Sequence, residues 1–243
     1  MSTRLCNVVV DALDPQALAR FWANLLSWEV SFANADEVDL QAPPDDGWDL
    51  DLVFVPATEP KTAVKNRVHL DLASESPDHQ LAQVAHALSL GATRADIGQH
   101  NVPWIVLADP EGNEFCVLDP RPEYMATGAV AAIVVDALTP LRLAEFWSAA
   151  AGWQVAETTE NTASLRSPTG RGPWLEFIPT THPHEIKNRV HLDVAPLLED
   201  DHWTEVTRVL ELGARKLDIG QGSVPWQVMA DPEDNEFCVL TPR

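Results

Sequence analysis

The chain has 243 residues, 45% apolar and 22% charged, a globular mix that excludes disordered and fibrous classes and suggests two domains of about 120 residues each. Lys and Arg total 16 against 37 Asp and Glu, a net charge of −21. So acidic a surface repels phosphate backbones and anionic lipid, which argues against nucleic-acid and membrane partners. No apolar run approaches the roughly 20 residues needed to span a bilayer. The opening MSTRLCNVVVDALDP lacks the apolar core and cleavage site of a secretory signal. Three cysteines (Cys6, Cys116, Cys238) form no C-x-x-C pair, so a reduced, cytoplasmic chain is expected.

In chain order, Val8-Val9-Val10 reads as a strand, and Asp14-Pro15 as an N-cap followed by Pro at the first helical position. Leu18, Phe21, Trp22, Leu25 and Leu26 then fall at i, i+3, i+4, i+7 and i+8, one apolar helix stripe. Short strands are expected at Trp28–Phe32, Glu37–Gln41 and Leu50–Val55. A second cycle opens with strand Val68–Leu72 and a helix near Asp78–Leu90 stopped by Gly91. Three further strands close it, the last at Phe115–Leu118. Asp109-Pro110-Glu111-Gly112-Asn113 is the hairpin turn before that strand, with Gly or Asn able to take positive φ.

The whole pattern then repeats. Residues 65–121 align without gaps on 187–243, with 34 of 57 positions identical. Residues 8–30 likewise match 133–155, where Thr139-Pro140 opens the helix and Leu143, Phe146, Trp147, Ala150 and Ala151 form its stripe. A period near 120 residues is too long for a solenoid unit. The chain is therefore a duplicated domain, 1–122 and 128–243, joined through Pro122–Gly128. Its class is α+β, four β-α-β-β-β modules in all.

Strands alternate faces with period two. Val68, Leu70 and Leu72 share one face, and Arg67, His69 and Asp71 the other. In the last strand of the repeat Glu114, Cys116 and Leu118 lie opposite Phe115 and Val117. Arg189, His191, Asp193, Glu236 and Cys238 repeat the split. The apolar face can pack on helices, while the ionisable face must meet partners or a polar cavity. A cup with a polar lining is implied. Trp104 and Trp226, each beside a Pro, share a face with Val106 and Val228 and can offer stacking surfaces to a flat ligand. Trp22, Trp28, Trp147 and Trp153 read as core. His69 and His191 are open to two readings: structural histidines bonded to Glu114 and Glu236, or ligand contacts. Cys116 and Cys238 read first as small buried apolar residues.

The modules, the R-V-H-L-D strand and the A-D-P-E-G-N-E-F turn together resemble the vicinal-oxygen-chelate superfamily. That superfamily includes glyoxalase I, extradiol dioxygenases, fosfomycin-resistance enzymes and bleomycin-binding proteins. The resemblance implies cup-shaped sheets with helices outside, and metal ligands drawn from the first, fourth, fifth and eighth strands. The fifth-strand position falls on His69 and His191, and the eighth on Cys116 and Cys238 where Glu is usual. The first falls on Asn7 or Val9 and on Ala132 or Val134, the fourth near Val53 and on Glu176. A small-organic-molecule binder of the bleomycin-resistance type, without an obligatory metal or other cofactor, is expected. His69, Glu114, Cys116, Trp104, His191, Glu236, Cys238 and Trp226 would line its cups. The alternative is a divalent-metal lyase or isomerase acting mainly in the second domain, with His191, Glu176 and Cys238 on the metal, or His191 with Glu236 as an acid–base pair. The fused repeats are expected to pack about an internal pseudo-twofold as a monomer, or to dimerise further.

Overall fold

A computed structural model describes residues 3–243. The first repeat runs β1 (Arg4–Ala12), α1 (Pro15–Leu26), β2 (Glu29–Ala33), β3 (Val38–Gln41), β4 (Asp51–Pro56), β5 (Val68–Leu72), α2 (Pro77–Ser89), β6 (Thr93–Arg94), β7 (Ile105–Ala108) and β8 (Glu114–Val117). After a 3₁₀ turn at Pro122–Tyr124, the second runs β9 (Val130–Ala137), α3 (Pro140–Ala151), β10 (Gln154–Thr158), β11 (Ala163–Arg166) and β12 (Trp174–Pro179). It closes with β13 (Val190–Ala195), α4 (His202–Glu211), β14 (Arg215–Lys216), β15 (Gln227–Ala230) and β16 (Glu236–Val239). Four β-α-β-β-β modules are present, as the periodicity requires, in an α+β fold. Among the described residues no helix is long and apolar enough to cross a membrane.

The helices start and stop for local reasons. Asp14 accepts from the Ala17 N–H at 2.9 Å, and Pro15 fixes the first helical φ. Ser27 and Gly152 end α1 and α3 in the left-handed conformation. The α1 stripe buries Leu18, Phe21, Trp22 and Leu26, and α3 buries Leu143, Phe146 and Trp147. Burying an aliphatic or Phe side chain of this kind contributes about 1.5–3 kcal/mol.

The two sheets do not follow the two repeats. One has the order β14-β15-β16-β13-β1-β4-β3-β2, and the other β10-β11-β12-β9-β5-β8-β7-β6. Each thus joins the outer or inner modules of different repeats, through the antiparallel seams β1·β13 and β5·β9. We call them the outer sheet (modules one and four) and the inner sheet (modules two and three). Each seam carries a one-residue bulge, at Cys6 and Ala131, which turns that side chain into the cup. The opposite faces, with the inner sides of the helices, form one continuous apolar core.

The D-P turn has a structural task. Asp109 accepts from the Glu111 and Asn113 N–H groups, from Asn113 Nδ2 and from Trp22 Nε1 at 3.2 Å. Asp231 does the same with Glu233, Asn235 and Trp147. Burial raises both carboxyls, Asp231 to about 6. The positive φ of the turn falls on Gly112 in the first repeat but on Asp234 in the second.

Candidate functional site in the sheet cups

Register fixes the lining of each cup. In the inner sheet, Glu176 on β12 stands opposite Val134 on β9, which stands opposite His69 on β5. One row further, Trp174, Ala132, Asp71 and Cys116 follow one another across β12, β9, β5 and β8. In the outer sheet the same rows read Val53, Val9, His191 and then Asp51, Asn7, Asp193, Cys238. Sequence reasoning grouped Glu176 with His191 and Cys238, and this grouping is corrected. The exchange of modules puts Glu176 in the inner cup with His69 and Cys116, a sheet away from His191.

The expected bonds from His69 to Glu114 and from His191 to Glu236 do not form. Glu114 accepts from Lys61 Nζ at 2.9 Å and the Asn66 N–H at 3.1 Å. Glu236 bonds His184 Nε2 at 3.2 Å and the Asn188 N–H at 3.0 Å. Both glutamates sit at the start of their strands, where the loop leading into β5 or β13 folds across and supplies nearer donors. The His184 contact and the backbone bond hold the Glu236 carboxyl below its ordinary value despite burial. The histidines lie instead beside the aspartate two residues on, with Nε2 to Oδ1 at 3.5 Å in each cup.

Inner-cup electrostatics are dominated by burial. His69 is pushed well below its ordinary pKa by desolvation, helped by Lys65, and Asp71 is raised to about 7. Burial thus favours the uncharged imidazole of His69 and the protonated form of Asp71. His69 Nδ1 and Asp71 Oδ1 are buried without a hydrogen-bond partner among the described residues. Burial and the neighbouring aspartate also push up the thiols of Cys116 and Cys238, and Cys6 to about 12. No thiolate nucleophile stands ready.

The cup walls differ. In the inner cup Cys116, Leu118, Tyr124 and Ala131 form an apolar cluster against which Trp104, Val106 and Trp174 pack. Tyr124 comes from the connection between repeats and donates its hydroxyl to Glu176 at 2.9 Å. Burial raises both the Tyr124 hydroxyl and the Glu176 carboxyl. The Arg121 guanidinium lies over the Trp104 and Tyr124 rings at 5.6 and 5.7 Å. Neither Tyr124 nor Trp174 was marked by sequence reasoning, which treated Pro122–Gly128 only as a linker. Tyr124, the single tyrosine of the chain, three residues after Arg121, was the available cue.

The outer cup is acidic. Asp39 and Asp51 face it with Asp193, and burial raises all three carboxyls, Asp39 to about 6. Its apolar patch is smaller, made of Ala195, Val228, Cys238 and Leu240. Trp226, expected as a stacking surface there, is 39% exposed and stands outside that patch, whereas its counterpart Trp104 packs into the inner cup.

Each cup also gathers a His/Asp/Cys group, His69-Asp71-Cys116 and His191-Asp193-Cys238, with ligand atoms within 4.8 Å of one another. Imidazole, carboxylate and thiolate are donors that zinc accepts, three of them leaving one position open. Both histidines leave Nδ1 buried and unpartnered, but only in the inner group is the aspartate oxygen, Asp71 Oδ1, also orphaned, which makes that group the better fit. In the outer group Asp193 Oδ1 already accepts from the Cys238 N–H at 3.0 Å.

Solved structures share this architecture across almost the whole chain. Glyoxalase I from Zea mays superposes with a TM-score of 0.64 at 11% identity, covering 99% of this chain and 92% of that one. A single-residue variant of the same enzyme gives 0.66 at 13%, covering 99% and 94%. At such identities the likeness is one of fold. No curated protein sequence matches the chain. The glyoxalase-like domain family matches residues 7–118 and again 132–240, so the protein belongs to that family and carries its domain twice.

Proposed function

We propose that the protein binds a small, flat, uncharged organic molecule in the inner cup, in a sequestration or resistance role that needs no metal. One observation carries this reading. Trp104 and Trp174 pack against the buried Cys116, Leu118 and Tyr124 on the cup face of the sheet, which also carries two buried polar atoms without partners, His69 Nδ1 and Asp71 Oδ1. An apolar pocket with few convergent polar groups is the usual form of a small-molecule site. A cup whose burial favours the neutral forms of His69 and Asp71 suits a neutral ligand that offers one hydrogen-bonding group. N-phenyl-1-naphthylamine, a neutral planar fluorophore, is a direct probe. Saturable enhancement that falls at least about tenfold in affinity in Trp104→Ala, while the outer-cup variant His191→Ala binds normally, supports the proposal. Equal loss in both variants, or no saturable binding, refutes it.

The His/Asp/Cys groups favour a second reading, a zinc-dependent lyase or isomerase. His69, Asp71 and Cys116 would hold the ion, which would polarise a substrate oxygen as a Lewis acid. In that reading Tyr124 and Glu176, joined at 2.9 Å, hold a proton across the cup from the ion. Elemental analysis of protein purified without chelator separates the two. Stoichiometric zinc that is lost in Cys116→Ser moves the assignment to the enzyme.

A further inference from the structure

Outside both cups, a cavity of about 520 Å³ lies between α1 and α2 beside the connection that follows Tyr124. Its polar lining includes Asp46, Ser74, Glu75, His79, Gln83 and His86. Ser74 is 5% exposed, and its hydroxyl has no partner among the described residues. Gln83 Oε1 is buried and likewise unpartnered, while its Nε2 donates to the Ala73 carbonyl at 2.9 Å.

The second repeat shows what such a groove accepts. The repeat offsets carry Gln83 to Glu205, His86 to Arg208, Asn24 to Ala149 and Gly128 to Thr3. There the Arg208 guanidinium fills the groove, donating to Glu205 Oε2 at 2.7 Å, the Ala149 carbonyl at 2.9 Å and Thr3 Oγ1 at 2.8 Å. In the first repeat His86 Nε2 still reaches the Asn24 carbonyl at 3.2 Å, but nothing reaches Gln83 Oε1, and Gly128 has no side chain to offer. Of the three acceptors of Arg208, the first repeat keeps one unclaimed, Gln83 Oε1, to which the Ser74 hydroxyl adds a second.

We propose that this cavity is a binding site for an alkylguanidinium, the chemistry that Arg208 supplies from within the chain in the other repeat. Gln83 Oε1 and Ser74 Oγ accept from the guanidinium, and the Glu75 and Asp46 carboxylates at the cavity give the site its negative potential. A planar, multidonor cation matches such divergent acceptors better than a compact ammonium does. The alkyl stem lies along Leu25 and Ala82, which also line the cavity.

Agmatine titrated into the full chain by calorimetry tests this, with putrescine as the ammonium control. One agmatine should bind per chain, with putrescine at least about tenfold weaker. The double variant Gln83→Glu/His86→Arg installs the pair of the second repeat. It should abolish agmatine binding while holding or raising the melting temperature. Ser74→Ala should weaken agmatine about fivefold and leave N-phenyl-1-naphthylamine binding unchanged. Absent saturation, equal affinity for putrescine, or undiminished agmatine binding in the double variant overturns the site. Should that variant not fold, Ser74→Ala and Gln83→Leu decide by the same readout, undiminished agmatine affinity in both being the refuting result.

Discussion

Arg67 in the first repeat and Glu233 in the second meet at 3.1 Å, both side chains less than a tenth exposed. Glu233 also accepts from the Leu138 and Thr139 N–H groups at the start of α3, so one carboxylate fixes a seam and a helix entry together. Arg189 and Glu111 repeat the arrangement at 3.2 Å, with Glu111 accepting from the Leu13 and Asp14 N–H groups. The copies are unequal. Both guanidiniums also donate through Nη1 to a loop carbonyl, Arg67 to His182 at 2.7 Å and Arg189 to Glu59 at 2.6 Å. Only Arg67 places its Nε, on Asn235 at 3.0 Å, while Arg189 Nε is buried without a partner.

Arg67→Ala is therefore expected to cost about 3–5 kcal/mol, because it strands a buried carboxylate. Arg189→Ala should cost less, about 1–3 kcal/mol. Urea unfolding of the two variants decides the ranking. Equal losses would mean that the Arg67–Asn235 bond contributes nothing.

Residues 1–127 expressed alone keep modules one and two but lose the seam partners of β1 and β5. Because β5 and β13 differ only at Leu72 and Val194, β1 of one copy can pair with β5 of another as it pairs with β13 here. The half-chain should sediment as a homodimer. A folded monomer at micromolar concentration would contradict this.

Tyr124→Phe removes the hydroxyl that donates to Glu176. A buried carboxylate left without its donor costs about 1–3 kcal/mol. At this chain length each kcal/mol lowers the melting temperature by about 2–4 °C. An unchanged melting temperature would show that water replaces the hydroxyl at no cost.

Asp39 and Asp231 are both raised to about 6 by burial, above an ordinary value of 3.8. The folded chain thus binds these protons more tightly than the unfolded chain does. Their contribution is fully present below about pH 4 and is lost as pH rises through 6. Asp71, raised to about 7, adds to this fall in stability with rising pH, and the lowered His69 opposes it. In a His69→Gln background the urea midpoint at pH 5 should therefore exceed that at pH 7.5. The reverse order would show the three carboxyls to be unperturbed.

The modules, the helix stripes and the two-faced strands were legible because each rests on local periodicity, as Leu18-Phe21-Trp22 and Val68-Leu70-Leu72 show. Strand ends were less so: β1 extends back to Arg4 through Cys6 and Asn7, whose polarity hides a strand held by a seam. The exchange of modules could not be read at all, since near-identical β5 and β13 make the two pairings equivalent in sequence. Partners of Glu114 and Glu236 were missed for a related reason. Lys61 and His184 lie in irregular loops without period, and only their return onto the sheet brings them within reach.

The nesting of the sheets sets an order of assembly. The inner sheet draws on one uninterrupted stretch of chain and is complete once β12 ends at Pro179. The outer sheet joins the first four strands to the last four and cannot close before Val239. During synthesis, β1 must wait with its seam edge bare while the rest of the chain is made and the inner sheet folds. Module one is thus the part of the nascent chain most in need of protection from stray strand pairing. A ribosome stalled shortly after Pro179 would carry a finished inner cup and an orphaned first module.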